Sequence, residues 1–380
     1  MGLRDFFIED RLERFRTNAP CNLGESGIRN LYLSELASLL RLDLRELGSL
    51  SLADSPNQGR VDLREEIVAL YPNISPDQVL ITTGTGEALF LAFCLLVEKG
   101  DTVSLFWPAF QALYEIPLFR DARLNTVSLL DRMDEAELGF GEKNIRSLFE
   151  EHPKLVILNH PHNPTGISTT ESDRKTLREV NFGSKEGTWM LFDEHYRFQD
   201  GDSELGWTGI GISDRSIATG SITKCFGVMG LRIGWLVGPR EFIEKARSMK
   251  DYLTHTVSPI SEFLALQILR KRKELQKLIR SNLNRNITFF SECASDLPGL
   301  DTFRSPAGGI VGFPKLTKGL ASKAYADMLF EKAGVFVLPG LDFETEGYIR
   351  VGFGETPERF LEGMERWRNL GSETKALLNK

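Results

Sequence analysis

Cysteine is scarce in this chain: four in 380 residues, Cys21, Cys94, Cys225 and Cys293. They lie far apart with no Cys-x-x-Cys pair, which excludes a disulfide framework and a zinc ribbon and makes a reducing cytoplasm the expected compartment. Histidine is scarce too, at five residues. One group, His160, His162, Asp193 and His195, could converge on a metal, but its spacing matches no helical i,i+4 ligand pair and no finger, so no metal is expected. Long apolar runs are missing: none reaches the roughly 18 residues of a membrane helix. Acids interrupt residues 1–11 before a leader's apolar core could form, so neither a membrane span nor a signal peptide is expected. Excess basic charge is missing as well. Lys and Arg number 46 against 53 Asp and Glu, a net −7, and without a concentrated basic stripe this argues against nucleic acid as a partner.

What the chain does contain is an α/β alternation, long enough for two domains. Short apolar runs of buried-strand type occur at 78–83, 102–107, 155–159, 189–193, 216–220 and 235–239, separated by helical or turn-rich stretches. A helix-rich section follows from Glu241 to about Leu297, then a smaller α+β unit built from 308–313, a helix near 322–332, and 335–340 and 348–354.

The stretch 221–235, Ser-Ile-Thr-Lys-Cys-Phe-Gly-Val-Met-Gly-Leu-Arg-Ile-Gly-Trp, organises the rest. Lys224 is flanked by small and apolar residues. Desolvation disfavours its charged form, and a neutral amine can attack a carbonyl to form a Schiff base. Ser221 and Arg232 supply a hydroxyl and a fixed cation suited to a phosphate, with glycines at 227, 230 and 234 allowing close approach of the backbone. The spacing Ser221-x-x-Lys224 also matches the serine nucleophile of penicillin-binding enzymes, but their Ser-Asp-Asn and Lys-Thr-Gly strings do not occur.

Five other places carry possible chemistry. Gly84-Thr85-Gly86 turns a strand into an apolar helix, and such a turn presents free backbone N–H groups to an anion; Leu89 stands where a dinucleotide fingerprint needs its third glycine. Phe110, two residues after Pro108, reads from the chain alone mainly as core. Prolines 161 and 164 bias the loop around Asn163 toward extended backbone and aim its side chain. Asp193, at the end of an apolar run, is costly to bury unless paired. Arg350, inside Tyr-Ile-Arg-Val-Gly, demands an anion, either a structural partner or a ligand carboxylate.

The string Ser-x-x-Lys-x-x-Gly-x-x-Gly-x-Arg-x-Gly, with the glycine turn, Asn-Pro-Thr-Gly and Asp-x-x-Tyr before it in order, resembles the class I/II aminotransferases, pyridoxal phosphate enzymes of fold type I. The resemblance spans residues 22 to 365. It implies a large domain, 49–258, with a mostly parallel seven-stranded sheet, and a small α+β domain from 1–48 and 259–380. It implies pyridoxal 5′-phosphate on Lys224, cupped by Gly84, Thr85, Gly86, Ser221 and Arg232, stacked on Phe110, with Asn163 and Tyr196 at its phenolic oxygen and Asp193 at its ring nitrogen. Arg350, with Gly27 and Ile28, is implied at the substrate carboxylate. A homodimer acting on an amino acid and an oxo acid follows too, although Asp54 stands where many members carry a phosphate-binding tyrosine. Transamination is the expected reaction. Glu25-Ser26-Gly27 and Asp54-Ser55-Pro56-Asn57-Gln58-Gly59 are similar to the capreomycidine synthase branch, which keeps β-elimination, replacement or cyclisation open. A non-catalytic regulator is a third reading, but regulators of this type carry an added DNA-binding domain and a degenerate relative would be expected to lose the lysine.

Overall fold

Apolar runs too short for helices and flanked by turns pair into sheets. In the computed structural model, which describes residues 2–43, 45–135, 138–183, 187–201 and 204–378, the strands in chain order are β1 (Cys21–Asn22), β2 (Val79–Thr82), β3 (Thr102–Trp107), β4 (Arg123–Ser128), β5 (Leu155–Asn159), β6 (Trp189–Asp193), β7 (Ser216–Ser221), β8 (Gly234–Val237), β9 (Leu300–Thr302), β10 (Val311–Gly312), β11 (Lys315–Leu316), β12 (Val335–Phe336), β13 (Leu338–Pro339) and β14 (Ile349–Gly352). Seven form one sheet in the order β2-β8-β7-β6-β5-β3-β4. It is parallel from β7 through β4, and β8 runs antiparallel to both its neighbours.

Both faces of this sheet are covered, which is why β5 reads as an unbroken apolar run. Leu155 and Ile157 pack into the core beneath the helices Gly84–Leu96 and Arg240–Lys250, while Val156 and Leu158 enter the larger core on the other side, the period-two alternation of a strand. β4 is the exception. Its sequence, Arg-Leu-Asn-Thr-Val-Ser, has no apolar run because it lies at the sheet edge, paired with β3 alone, with exposed and half-buried side chains.

The parallel register lines up the ends of adjacent strands. Asn159 of β5 stands opposite Asp193 of β6, and Asp193 opposite Thr219 of β7. Polar groups from three strands thereby meet at the carboxyl edge of the sheet, where ligands of open α/β sheets sit.

The remaining strands make small sheets. β10, β14 and β13 pair antiparallel, β9 pairs with β11, and parallel β1 and β12 tie residues 21–22 to 335–336. The amino-terminal helix Phe7–Phe15 buries Ile8, Arg11 and Leu12. Arg11 Nη2 reaches Asp327 Oδ1 at 2.7 Å, and Arg4 Nη2 reaches Glu115 Oε2 at 2.7 Å, tying this segment to the rest of the chain. No helix among the described residues is long and apolar enough to cross a membrane.

Gly220 of β7 faces Trp235 of β8, and a Cβ there would run into the indole. The indole cannot swing aside freely, because Nε1 donates to the Tyr71 hydroxyl at 2.9 Å and the ring is buried. Gly220→Ala should therefore destabilise the fold by about 1–3 kcal/mol, the usual penalty of overpacking, seen as a lower urea midpoint; an unchanged midpoint would show that the indole yields.

Candidate active site

A cavity of about 200 Å³ opens at the carboxyl ends of β5, β6 and β7, between the sheet, the helix Gly84–Leu96 and the amino-terminal helix. Its floor is Asp193, 1 % exposed. A carboxylate so deeply buried needs donors, and the strand register supplies them. Thr219 Oγ1 donates to Oδ1 at 2.8 Å, Asn159 Nδ2 donates to Oδ2 at 3.1 Å, and His195 Nδ1 lies 3.2 Å from Oδ2. Asn159 also accepts the backbone N–H of Asn163 on its Oδ1 at 2.7 Å. One amide thus fixes both the carboxylate and the loop that carries Asn163.

Lys224 enters from the turn after β7. Its side chain is half-buried and lines the cavity, and its ammonium makes no hydrogen bond or ion pair with a described residue. Burial lowers its pKa and the nearby Arg350 adds to that, while Glu25 and Glu9 pull it back up. The result is an amine held less firmly as the ammonium than a surface lysine.

Thr85 and Gly86 stand in the first turn of the helix Gly84–Leu96 and line the same cavity. A Cβ on Gly86 would meet no atom within 4 Å, so any side chain there would fill the cavity. Gly84, with φ +77°, abuts Arg232: a Cβ would lie 2.6 Å from Nη2. Arg232 reaches this place from a left-handed backbone position, φ 52°, and lines the cavity although it is exposed in the single chain. Free amide donors, a helix N-terminus and a guanidinium make an anion pocket.

Arg350 lies on the cavity wall from β14, 1 % exposed. Nη1 donates to Asn163 Oδ1 at 3.1 Å and Nη2 to the Gly24 carbonyl at 2.7 Å, with Phe343 beneath the guanidinium at 5.2 Å. Its Nε has no hydrogen-bond partner among the described residues. Burial lowers its pKa, opposed by Tyr196, Glu25, Glu9 and Asp342. Phe110 completes the wall and packs on Phe6, ring centroids 5.4 Å apart.

Four residues singled out from the sequence are placed differently from the others. Ser221 does not line the cavity: its Oγ donates to the Ile233 carbonyl at 2.9 Å and meets Thr223 Oγ1 at 2.6 Å, because it braces the turn, and Thr223 faces the cavity instead. Tyr196 donates its hydroxyl to the Ser26 carbonyl at 2.7 Å, and burial raises its pKa so that it stays a donor. Gly27 and Ile28 lie behind Lys224 and are absent from the cavity wall: the Ile28 N–H donates to the Lys224 carbonyl at 2.8 Å, and a Cβ on Gly27 would sit 3.3 Å from Lys224 Cδ. The histidines weighed as metal ligands diverge. His195 goes to Asp193, His160 Nε2 to Asp200 Oδ2 at 3.1 Å, and His162 Nδ1 to Thr165 Oγ1 at 2.8 Å.

Sequence reading missed Asn159, Thr219, Thr223, Ser26 and Glu9, all at the cavity or in contact with its groups. The only available signal was indirect: a polar residue closing an apolar run, as in Asn159.

The model of the family described as aminotransferase class I and II matches residues 48–366. The chain belongs to that family. Capreomycidine synthase from Streptomyces vinaceus is 29 % identical over 359 residues, covering 91 % of this chain and 88 % of the relative. Aspartate aminotransferase from Pyrococcus horikoshii is 25 % identical over 323 residues, 82 % of this chain and 81 % of that one. Among solved structures, a pyridoxal phosphate-dependent aminotransferase from Streptococcus suis superposes with a TM-score of 0.89 at 25 % identity, over 98 % of this chain and 99 % of that one.

The protein is thus a class I/II aminotransferase-family enzyme whose cofactor is pyridoxal phosphate. The cavity fits such a group in three respects: the open face of Gly86 beside free helix amides, an amine without a partner, and a buried carboxylate already oriented by three neighbours.

Burial also makes this loop acid-sensitive. His162 is 2 % exposed and its pKa is pushed down from 6.5 to about 3. Between those values the unfolded chain takes up a proton that the folded chain refuses, so stability rises with pH across the window and is lost as pH falls through it. His162→Gln should flatten the decline of the urea midpoint between about pH 6.5 and pH 4; parallel declines in the two proteins would contradict this.

Proposed function

We propose that this enzyme transfers the amino group of an L-amino acid to an oxo acid, with pyridoxal phosphate held covalently by Lys224. The observation that carries this reading is the unpartnered, desolvated amine of Lys224 on the wall of a cavity that also holds the Asp193 carboxylate and the Arg350 guanidinium. The cofactor supplies an electron sink for the bond broken at the substrate Cα.

The chain's residues then divide the work. The amides of Thr85 and Gly86, Arg232 and the Thr223 hydroxyl would bind the phosphate, with Gly84 leaving room for Arg232 and Ser221 bracing Thr223. Asp193, oriented by Thr219 and Asn159, would pair with the ring nitrogen. Phe110 and His195, which line the cavity, would border the cofactor ring. Asn163, which lines the cavity, would orient the phenolic oxygen, and Tyr196 would reach it only by giving up its hydrogen bond to the Ser26 carbonyl. Arg350 receives the substrate carboxylate on its free Nε edge, and Gly27 and Ile28 hold the backbone of Lys224 in place. Lys224 Nζ would serve as the base that holds the proton taken from the substrate Cα. A homodimer in the cytoplasm fits this reading: Arg232 is exposed in the single chain, and Tyr32, Leu52, Tyr252 and Leu253 are exposed apolar side chains a second copy would cover.

A second reading, loss of a β-substituent followed by cyclisation, is favoured by the likeness to capreomycidine synthase and by Ser26, which stands on the cavity wall. The two differ in product. Transamination would leave the cofactor in its amine form and release an oxo acid without ammonia, whereas elimination would release any oxo acid together with ammonia and cyclisation would release neither.

Reduction of the cofactor-loaded protein with borohydride should fix the cofactor mass to the peptide containing Lys224, and Lys224→Ala should carry none; label on another lysine would overturn the proposal. Arg350→Ala should lower kcat/KM for the amino donor by about a hundredfold or more, as expected for removing one partner of a buried charge pair. An unchanged value would exclude Arg350 as the carboxylate site.

A further inference from the structure

Two carboxylates stand on the cavity wall among the described residues, Asp193 and Glu9. Asp193 is engaged by Thr219, Asn159 and His195. Glu9 is not engaged in this way. Its ion-pair neighbour Arg16 places Nη2 3.6 Å from Glu9 Oε2, beyond hydrogen-bond distance, while Arg16 Nε is held 2.7 Å from Glu25 Oε1. Glu9 belongs to the amino-terminal helix, which also contributes Ile8 and Leu12 to the wall, with Phe6 just before it. That segment is pinned at both ends: Arg4 binds Glu115 and Glu344, and Arg11 binds Asp327.

An independent observation indicates that a ligand reaches this space. Arg350 is 1 % exposed, its Nε is without a hydrogen-bond partner, and no carboxylate lies within ion-pair distance of it among the described residues. A buried guanidinium without an anion is strongly unfavourable, so the cavity is built for a molecule with a carboxylate. The cavity that holds Arg350 also presents the apolar side chains of Phe6, Ile8 and Leu12 and the carboxylate of Glu9, whose ion-pair neighbour Arg16 stands 3.6 Å away.

We propose that Glu9 receives a cationic side-chain terminus, so that the amino-acid substrate carries a guanidinium or ammonium at the end of an apolar stem. The inference rests on the reading of this cavity as the amino-acid site of a pyridoxal phosphate enzyme. A basic amino acid matches all three surfaces at once. Its α-carboxylate pairs with Arg350, its methylenes cover Phe6, Ile8 and Leu12, and its terminal charge pairs with Glu9. An acidic side chain in the same place would face a carboxylate with no counter-charge in hydrogen-bond contact, which selects against it. Glu9 also lies close enough for its charge to favour the protonated forms of Lys224 and Arg350.

The test is a spectral titration of the cofactor-loaded protein with L-arginine, L-lysine, L-norleucine and L-glutamate, in wild type and Glu9→Gln, following the visible absorption of the cofactor. Wild type should respond to arginine or lysine at a concentration at least about tenfold below that for norleucine, with glutamate weakest, and Glu9→Gln should reduce that preference by about tenfold. Glu9 is exposed on its helix, and an unaltered cofactor spectrum in the variant shows that it is folded. Preference for norleucine or glutamate, or a basic preference that survives Glu9→Gln, would overturn this inference while leaving the amino-acid site intact. No response to any amino acid would overturn the proposed function and this inference with it.

Discussion

The Asp193 carboxylate is the constraint on which the rest of the site depends. A charge at 1 % exposure survives in the interior only with donors in place, and here they come from three parallel strands through Thr219, Asn159 and His195. The strand register that stacks β5 on β6 on β7 is therefore also what orients the carboxylate. Because Asn159 bonds the Asn163 backbone as well, and Asn163 accepts from Arg350, one chain of hydrogen bonds runs from the centre of the large sheet to β14. Such networks are rigid when fully satisfied and costly when any member is lost.

Arg350 stands at the other end of that chain with a different logic. Its Nη groups are held by Asn163 and Gly24, which fix its direction, while Nε is left open. Lys224 is likewise supported through its backbone, by Ile28, and left open at its amine. Fixed stems with unengaged functional ends are what a preorganised site requires, since the cost of ordering has been met before the ligand arrives.

Some of this was legible in the chain and some was not. Lys224, Arg232, Asp193 and Arg350 could be singled out because their chemistry is tied to a residue type at a fixed distance from a strand end or a glycine. Asn159 could not, because its partner Asp193 is 34 residues away and only the pairing of β5 with β6 brings them together. Ser221 and Thr223 share one turn, and which of the two hydroxyls faces the cavity depends on backbone direction rather than on spacing. Glu9 reads as the polar side of a short amphipathic helix; its place at the cavity follows from how Arg4 and Arg11 dock that helix. The apolar runs marked the buried strands, whereas edge strand β4 escaped because it has only one covered neighbour and no need of an apolar sequence.

The most direct test of the account is a crystal structure of the protein reconstituted with pyridoxal phosphate. The account predicts continuous density from Lys224 Nζ to the cofactor, its phosphate at the start of the helix Gly84–Leu96 beside Arg232, and its ring nitrogen at the Asp193 carboxylate. A cofactor bound without a link to Lys224, or with Asp193 still facing only Thr219, Asn159 and His195, would contradict it.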